Sequence, residues 1–327
     1  MLVLGLQGSP RKKGNTDFLL SAYLKEAEKL GAKTHLVEVA KKDISPCKGC
    51  GKCEKDGFCI TKDYMSQEIY PMLREADLIV VATPIFFYNT PSQLKALIDR
   101  SQAFWSRKYK FNLRDPGHKI RSGILLALGA TKGENLFNGL HLTVKYFFDA
   151  VSASYDGSLT YRHIEAPGDM EKHPSVLREV KQDAAALLSP LLGRKKVLFS
   201  CRENACRSQM AGAFTRYIAG DKIEAISAGS KPASEINPLM VEAMCEKGID
   251  MAFCRPKPID DAVIADVKPD IIITMGSSEG SSGECPSVPT AKRMDWDMPD
   301  PAGKSIDFMR KVRDEIEKKV KDLIAGL

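Results

Sequence analysis

Hydrophobic and polar positions alternate along this chain in blocks that switch between two periods. Leu2–Leu6 is a short apolar run that reads as a buried strand, followed by the polar loop GSPRKKGNT (8–16). In DFLLSAYLKEAEKLG, Phe18, Leu19, Ala22, Tyr23 and Ala27 fall on one helical face, and Gly31 ends the segment. The same switch recurs: HLVEV (35–39) as strand, 63–76 as helix, DLIVVATPIFF (77–87) as strand into loop, 91–105 as helix. GILLALGATKG (123–133) gives a further strand and loop, 138–153 a helix, 155–164 a strand and 173–192 a helix. Strands alternating with helices of this length predict a doubly wound parallel sheet, whose ligands lie beyond the carboxyl ends of the strands. Three loops leave those ends: 8–16, TPIFFYNT (83–90) and GATKG (129–133).

SPLLGRKK (189–196) breaks the pattern with Pro, Gly and charge, and the domain boundary is placed there, giving units 1–192 and 193–327. KVLFS (196–200) then opens a second strand–loop–helix series, with RSQMAGAFTRYIAG (207–220) as its first helix. The expectation is α/β throughout: two doubly wound parallel-sheet domains. A length of 327 residues fits two domains, and 43% hydrophobic with 28% charged residues excludes disordered and collagen-like chains. No apolar run is long enough for a membrane span, and the start MLVLGLQGSPRKKG reaches Gly and charge too early for a signal peptide, so a cytoplasmic location is expected. The net charge of +6 lies wholly within 1–192, with 27 basic and 21 acidic residues. That excess suits an anionic cofactor at least as well as nucleic acid, no run of five or more basic residues argues for the latter, and neither nucleic acid nor membrane is expected as a partner.

Three features carry chemistry. The loop 8–16 joins a strand to a helix and aims backbone N–H groups at a phosphate, though it lacks the Lys-Ser/Thr of a nucleoside triphosphate loop and the spacing of a dinucleotide fingerprint. Of nine cysteines, Cys47, Cys50, Cys53 and Cys59 fall in CKGCGKCEKDGFC, a C-x2-C-x2-C-x5-C spacing whose glycines let a loop wrap its thiolates round one centre. An Fe–S cluster, a zinc ion and no occupant all remain open. Cys201 and Arg207 form C-x5-R between a strand and a helix. A thiolate there is stabilised by the helix N-terminus and by successive amides, while the Arg returns to grip a tetrahedral oxyanion.

Residues 1–190, through GSPRKKGNT, ADLIVVATPIFFYNTPSQLKALIDR and GATKG with NLFNGLHLTVKYFFDA, resemble the flavodoxin-like NAD(P)H-dependent FMN reductases, the iron-sulfur flavoproteins in particular. The resemblance implies that Ser9, Arg11, Asn15 and Thr16 hold an FMN phosphate. It also implies that Pro84, Ile85, Phe86, Phe87 and Asn89, with Gly129, Ala130, Thr131 and Gly133, flank the flavin ring, core packing being the other reading of the two Phe. NAD(P)H is implied as donor, a [4Fe–4S] cluster at the four cysteines, and a homo-oligomer formed through this domain.

Residues 195–325 are similar to the low-molecular-weight tyrosine phosphatase fold and, within it, to the thiol-dependent arsenate reductases. The segments are VLFSCRENACRSQMAGAF, AISAGSKPASEINPLMVEAMCEKGID, IIITMG and WDMPDPAGK. The resemblance implies Cys201 as nucleophile, Asn204, Arg207 and Ser208 as loop support, and Asp300 as general acid. Pro301-Ala302-Gly303 stand where phosphatases of this fold carry an aromatic, which favours an inorganic arsenate or phosphate oxyanion. Of two resolving cysteines usual after the IIITMG strand, Cys285 is kept, while Ser277 or Ser278 replaces the earlier one. Cys206 and Cys254 are further candidates, and an external thiol reductant is a possible partner. Gly212 replaces a Glu of many relatives, which puts a cation site built on that carboxylate in doubt. The expected activity is arsenate reduction supplied with electrons by the first half; a phosphatase fused to a flavin reductase, or a redox-sensing oxyanion-binding module, are the alternatives.

Overall fold

The computed structural model describes residues 1–259, 268–276 and 290–327, which divide into two compact units: 1–112 with 120–192, and 113–119 with 193–327. Among these residues no helix is long and apolar enough to cross a membrane.

The first unit is a five-stranded parallel sheet in the order β2-β1-β3-β4-β5, built from β1 (Leu2–Gln7), β2 (Lys33–Glu38), β3 (Leu78–Pro84), β4 (Ser122–Leu128) and β5 (Ser154–Tyr161). The middle strands are buried on both faces, which is why they read as continuous apolar runs rather than alternating ones. Helix α1 (Asn15–Lys29) lays Leu19, Leu20 and Tyr23 against Val3, Val80 and Leu126, and α7 (Val176–Leu188) adds Val180 and Ala184 to that core. The order places the topological switch between β1 and β3, where successive crossovers leave for opposite faces and open a crevice.

Two expected helices differ in detail. Residues 63–76 contain a π-helical turn, Met65–Ile69, before α3 (Tyr70–Glu75), because Pro71 has no N–H to return to Gln67 and the wider turn absorbs the mismatch. The helix expected over 91–105 is two helices, α4 (Ser92–Arg100) and α5 (Gln102–Tyr109), hinged at Ser101, whose hydroxyl bonds back to Leu97 O. The cysteine loop contains a further short helix, α2 (Lys52–Asp56), flanked by Gly51 and Gly57, both left-handed.

The second unit is a four-stranded parallel sheet, β7-β6-β8-β9, from β6 (Lys195–Cys201), β7 (Ile223–Gly229), β8 (Ile271–Thr274) and β9 (Lys292–Asp295). One face is covered by α8 (Arg207–Ala219), α9 (Pro238–Cys245) and α10 (Ile306–Ala325), whose Met210, Phe214, Met240, Met309 and Ile316 meet Phe199 and Ile273 in one core. Residues 113–119 belong to this unit: Arg114 donates its N–H to Gly248 O and accepts from Asp250 N–H, both at 2.8 Å, and the His118 ring lies 5.0 Å from Tyr217.

Arg121, 1% exposed, spends its guanidinium on backbone carbonyls at two helix ends: Arg74 (2.6 Å) in the last turn of α3 and Ala76 (3.0 Å) just after it, and Val151 (2.9 Å) after α6 (Asn138–Ala150). Arg121→Met is expected to lower unfolding stability by about 3 kcal/mol or more, since those buried acceptors lose a charged donor; urea unfolding measures it, and a change within about 0.5 kcal/mol would show the carbonyls are satisfied otherwise.

Candidate active and cofactor sites

Cys201 ends β6 at the switch point between β6 and β8, and the chain turns from it into α8 through five residues. The carbonyls of that turn are tied from outside: Cys201 O to Ser230 N–H (3.3 Å), Arg202 O to Lys231 N–H (2.8 Å), Glu203 O to Ala233 N–H (3.0 Å) and Ala205 O to Asn237 N–H (2.9 Å). With the carbonyls held outward, the amides of residues 202–206 donate to nothing among the described residues. Asn204 at φ 49° supplies the left-handed step that such a nest of amides needs. Gly229 is what lets the loop pass so close to β7: a Cβ there would lie 2.7 Å from Arg202 O and 2.8 Å from Asn204 N.

Side chains extend the same polarity towards the sulfur. Asn204 Oδ1 accepts from Lys257 N–H (2.8 Å) and Gln209 Nε2 (3.1 Å), and Gln209 Nε2 also donates to Arg255 O (2.8 Å). The orientation thus fixed makes Asn204 Nδ2 a donor to Ser208 Oγ (2.8 Å), which leaves the Ser208 hydroxyl proton for Cys201 Sγ, 3.0 Å from Oγ. Cys201 Sγ stands at the end of this chain of donors. Arg207, 8% exposed, donates through Nη1 to Met298 O (3.0 Å), and its Nη2 lies 3.5 Å from Asp300 Oδ1, so the expected oxyanion grip and general acid stand side by side. Asp300 is more than half exposed, and its Oδ1 also accepts from Ala302 N–H (3.2 Å).

The structure brings together Cys201, Asn204, Arg207, Ser208 and Asp300. Cys206 is buried, donates its S–H to Met309 Sδ at 3.3 Å, and burial pushes its thiol strongly up. Cys254 is partly buried against the same core. Cys285, Ser277 and Ser278 lie outside the described residues. Gln209, Gly229 and Lys257 were not singled out from sequence; only the local pair C-x5-R carries a signal in the spacing.

In the first unit the three expected loops meet at the carboxyl edge of the sheet. Loop 8–14 is fixed by Gly8 N–H to Ala82 O (2.8 Å), while Ser9 Oγ accepts from Arg11 N–H (3.2 Å). Helix α1 begins at Gly14 without any side-chain cap, and the amides of residues 12–14 find no acceptor among the described residues. An uncapped helix start with Ser9 and Thr16 buried beside it and Arg11 exposed suits a phosphate. Asn15 faces elsewhere: its Oδ1 accepts from Gly168 and Met170 N–H (both 3.1 Å) and its Nδ2 donates to Ala166 O (2.8 Å), so it latches loop 166–170 to the helix start.

Phe86 and Asn89 exchange backbone hydrogen bonds (2.8 and 3.0 Å) round a tight turn in which Phe87 (φ 47°) and Tyr88 (φ 62°) are both left-handed. Two non-glycine residues in that region are strained. Phe87 is fully exposed and Phe86 is 42% exposed, so neither packs in the core. Pro84 and Ile85 lead into this turn from β3, with Ile85 N–H on Leu128 O (3.0 Å). Asn89 Nδ2 bonds Thr143 Oγ1 (3.0 Å), so the turn is anchored to α6, and a Cβ on Gly133 would come within 3.6 Å of the Tyr88 hydroxyl. Gly129 is buried against Leu136, while Ala130 and Thr131 are exposed.

Cys47, Cys50, Cys53 and Cys59 border one cavity of about 410 Å³. Among the described residues no three or more His, Cys, Asp or Glu side chains converge tightly enough for a single metal ion. Burial pushes the Cys53 thiol up, and Cys59 and Cys47 nearby add to it, against the Ser106 hydroxyl.

Comparison with known proteins agrees with this division. Residues 1–131 match the family described as NADPH-dependent FMN reductase, and residues 196–327 that described as low molecular weight phosphotyrosine protein phosphatase. An iron-sulfur flavoprotein of Methanosarcina thermophila is 38% identical over 132 residues, 40% of this chain; this chain spans 65% of that protein's length, and 48% of a second such protein from Archaeoglobus fulgidus. Arsenate reductase 2 of Staphylococcus saprophyticus is 36% identical over 131 residues, covering 40% of this chain and 96% of that protein. Among solved structures, a thioredoxin-dependent arsenate reductase of Corynebacterium glutamicum matches at 32% identity and a TM-score of 0.35, over 47% of this chain and 76% of that one. Similarity over nearly the full length of an arsenate reductase, behind a segment that matches the NADPH-dependent FMN reductase model, defines the chain: its residues 196–327 belong to the low molecular weight phosphotyrosine protein phosphatase family on the side of the arsenate reductases.

Proposed function

We propose that this protein reduces arsenate to arsenite at Cys201, with its first unit as the source of electrons. The observation that carries the reading is the loop 201–208, in which outward-tied carbonyls leave the amides of residues 202–206 without an acceptor among the described residues and a fixed chain of donors ends on Cys201 Sγ. Such a loop holds a tetrahedral anion by its non-bridging oxygens, with Arg207 as the charged partner. Cys201 attacks arsenic as the thiolate, Asp300 protonates the departing oxygen, and water leaves, giving a sulfur–arsenic bond. A second thiolate then attacks the Cys201 sulfur. The sulfur–arsenic pair returns to arsenic, which leaves as arsenite, and the two thiols become a disulfide.

Cys285 is the proposed second thiol. Cys206 is ill suited, because a thiol buried against Met309 and pushed up by that burial supplies little thiolate. Reopening the disulfide takes two electrons and two protons, which the reading assigns to the first unit with NAD(P)H as ultimate donor. The uncapped start of α1 with Ser9, Arg11 and Thr16 fits the phosphate of FMN, the exposed Phe86–Tyr88 turn and 129–133 fit its ring, and the four cysteines round one cavity fit a [4Fe–4S] cluster. When bound, the two groups would supply exchange between electron pairs and single electrons.

Arsenite formation from arsenate and NADPH, with no thioredoxin or glutathione added, tests the coupling; absolute dependence on an added thiol would defeat it. Asp300→Asn is expected to lower turnover by about 10²- to 10⁴-fold without abolishing arsenate binding. Cys285→Ser is expected to abolish arsenate turnover while sparing hydrolysis of an aryl phosphate at Cys201; equal loss of both, or of neither, removes Cys285 from the relay. Ser208→Ala should slow alkylation of Cys201 by iodoacetamide at neutral pH about tenfold, the worth of one hydrogen bond to a charged group.

A further inference from the structure

The four cysteines hang from a loop whose two ends are closed by a single buried side chain. Arg100, the last residue of α4, is 2% exposed. Its Nη1 donates to Ser45 O (2.9 Å) and Asp63 Oδ2 (2.7 Å), and its Nη2 to Thr61 O (3.2 Å) and Asp63 Oδ1 (3.0 Å). Ser45 stands two residues before the first cysteine and Thr61 two residues after the last, so the guanidinium fastens the neck of the loop. Asp63 accepts as well from Ser45 N–H (3.0 Å) and Met65 N–H (3.1 Å). Burial would push its carboxyl up, but Arg100 and the amides of Ser45 and Ser66 outweigh that and hold it below the usual carboxylate range.

Four of the five guanidinium donors are thereby used. The fifth, Nε–H, is buried without a partner. Ser106 Oγ is in the same condition: Ser106 is wholly buried, and its hydroxyl, which opposes the rise of the Cys53 thiol, makes no hydrogen bond of ordinary geometry. Of the three such atoms among the described residues, two therefore belong to side chains beside the cysteines, and Arg100 lines the same cavity as all four sulfurs. A buried donor left unmade costs about 1–3 kcal/mol, more on a charged group, and is tolerated where an occupant brings the acceptor. The cavity, about 410 Å³, is much larger than one ion needs, since a water molecule takes roughly 30 Å³ of liquid.

We infer that Arg100 is a positioning residue of an iron–sulfur cluster site: it closes the neck of the cysteine loop through Asp63, and its Nε–H, with the Ser106 hydroxyl, donates to sulfur of the bound cluster and raises its reduction potential. The inference rests on the reading of the four cysteines as cluster ligands. Its physical basis is that donors and positive charge near the sulfurs favour the more negative, reduced state.

The full-length protein, purified without oxygen, is first assayed for iron and acid-labile sulfide; absence of both in the wild type overturns the cluster reading, and this inference with it, before any variant is made. Potentiometric titration with dithionite, followed by visible absorption and electron paramagnetic resonance, then reads the potential. Arg100→Lys keeps the charge but loses Nε–H and the fork. It is expected to make reduction about tenfold less favourable, a fall of about 59 mV for one electron. Asp63→Asn removes the opposing negative charge and is expected to move the potential the other way. Ser106→Ala, which leaves the ion pair untouched, is expected to lower it by a smaller amount. Opposite shifts for Arg100→Lys and Asp63→Asn support the assignment, because mere damage to the fold lowers iron content in both without opposing shifts. If either buried-pair variant fails to fold, Ser106→Ala decides. Retained iron with an unmoved potential in Arg100→Lys or in Ser106→Ala overturns the inference.

Discussion

Parallel strands can be joined only by crossovers, and where successive crossovers leave for opposite faces, the sheet opens a crevice at its carboxyl edge. This chain meets that constraint twice. In the first unit the crevice lies between β1 and β3 and gathers loops 8–14, 84–90 and 129–133; in the second it lies between β6 and β8 and receives Cys201. The cysteine loop also leaves a carboxyl end, that of β2. Amides unused by the ladder are concentrated at these edges, and so both sites are made first of backbone and only then of side chains.

The two sites differ in how they hold their amides. At the start of α1 the N–H groups are free because nothing caps the helix, and the neighbouring Asn15 is committed to loop 166–170. At Cys201 they are free because segment 230–237 takes the carbonyls of residues 201, 202, 203 and 205. A loop stiffened in this way changes little when an anion arrives, which is what electrostatic preorganisation requires. Asn204 contributes twice, through a left-handed backbone and through a side chain whose orientation Lys257 and Gln209 dictate.

Legibility in the sequence followed range. Strand–helix alternation and C-x5-R are local patterns, and both β1-loop-α1 and β6-loop-α8 could be read from a dozen residues each. The break at Ser101 and the π-helical turn before Pro71 depend on local hydrogen bonds that hydrophobic periodicity does not register. The Asn204 network escaped because two of its partners, the Arg255 carbonyl and the Lys257 amide, are about 50 residues distant and act through backbone, which has no residue signature. The Arg100–Asp63 pair is separated by 37 positions, and nothing in its composition distinguishes it from two surface charges. Residues 113–119 joining the second unit is a matter of tertiary contact alone, since Arg114 pairs with Gly248 and Asp250 through main chain.

The neck at Ser45, Thr61 and Asp63 also bears on the life history of the cysteine loop. Small domains that fold round zinc are disordered without it, so that losing the metal is losing the structure. Here the polypeptide closes its own ring of sulfurs with a guanidinium and a carboxylate supplied by the α/β scaffold. The entropy of ordering the two ends of the loop is met when the scaffold folds. A loop tied in this way keeps its shape through the scaffold's own side chains, whatever its four thiols hold.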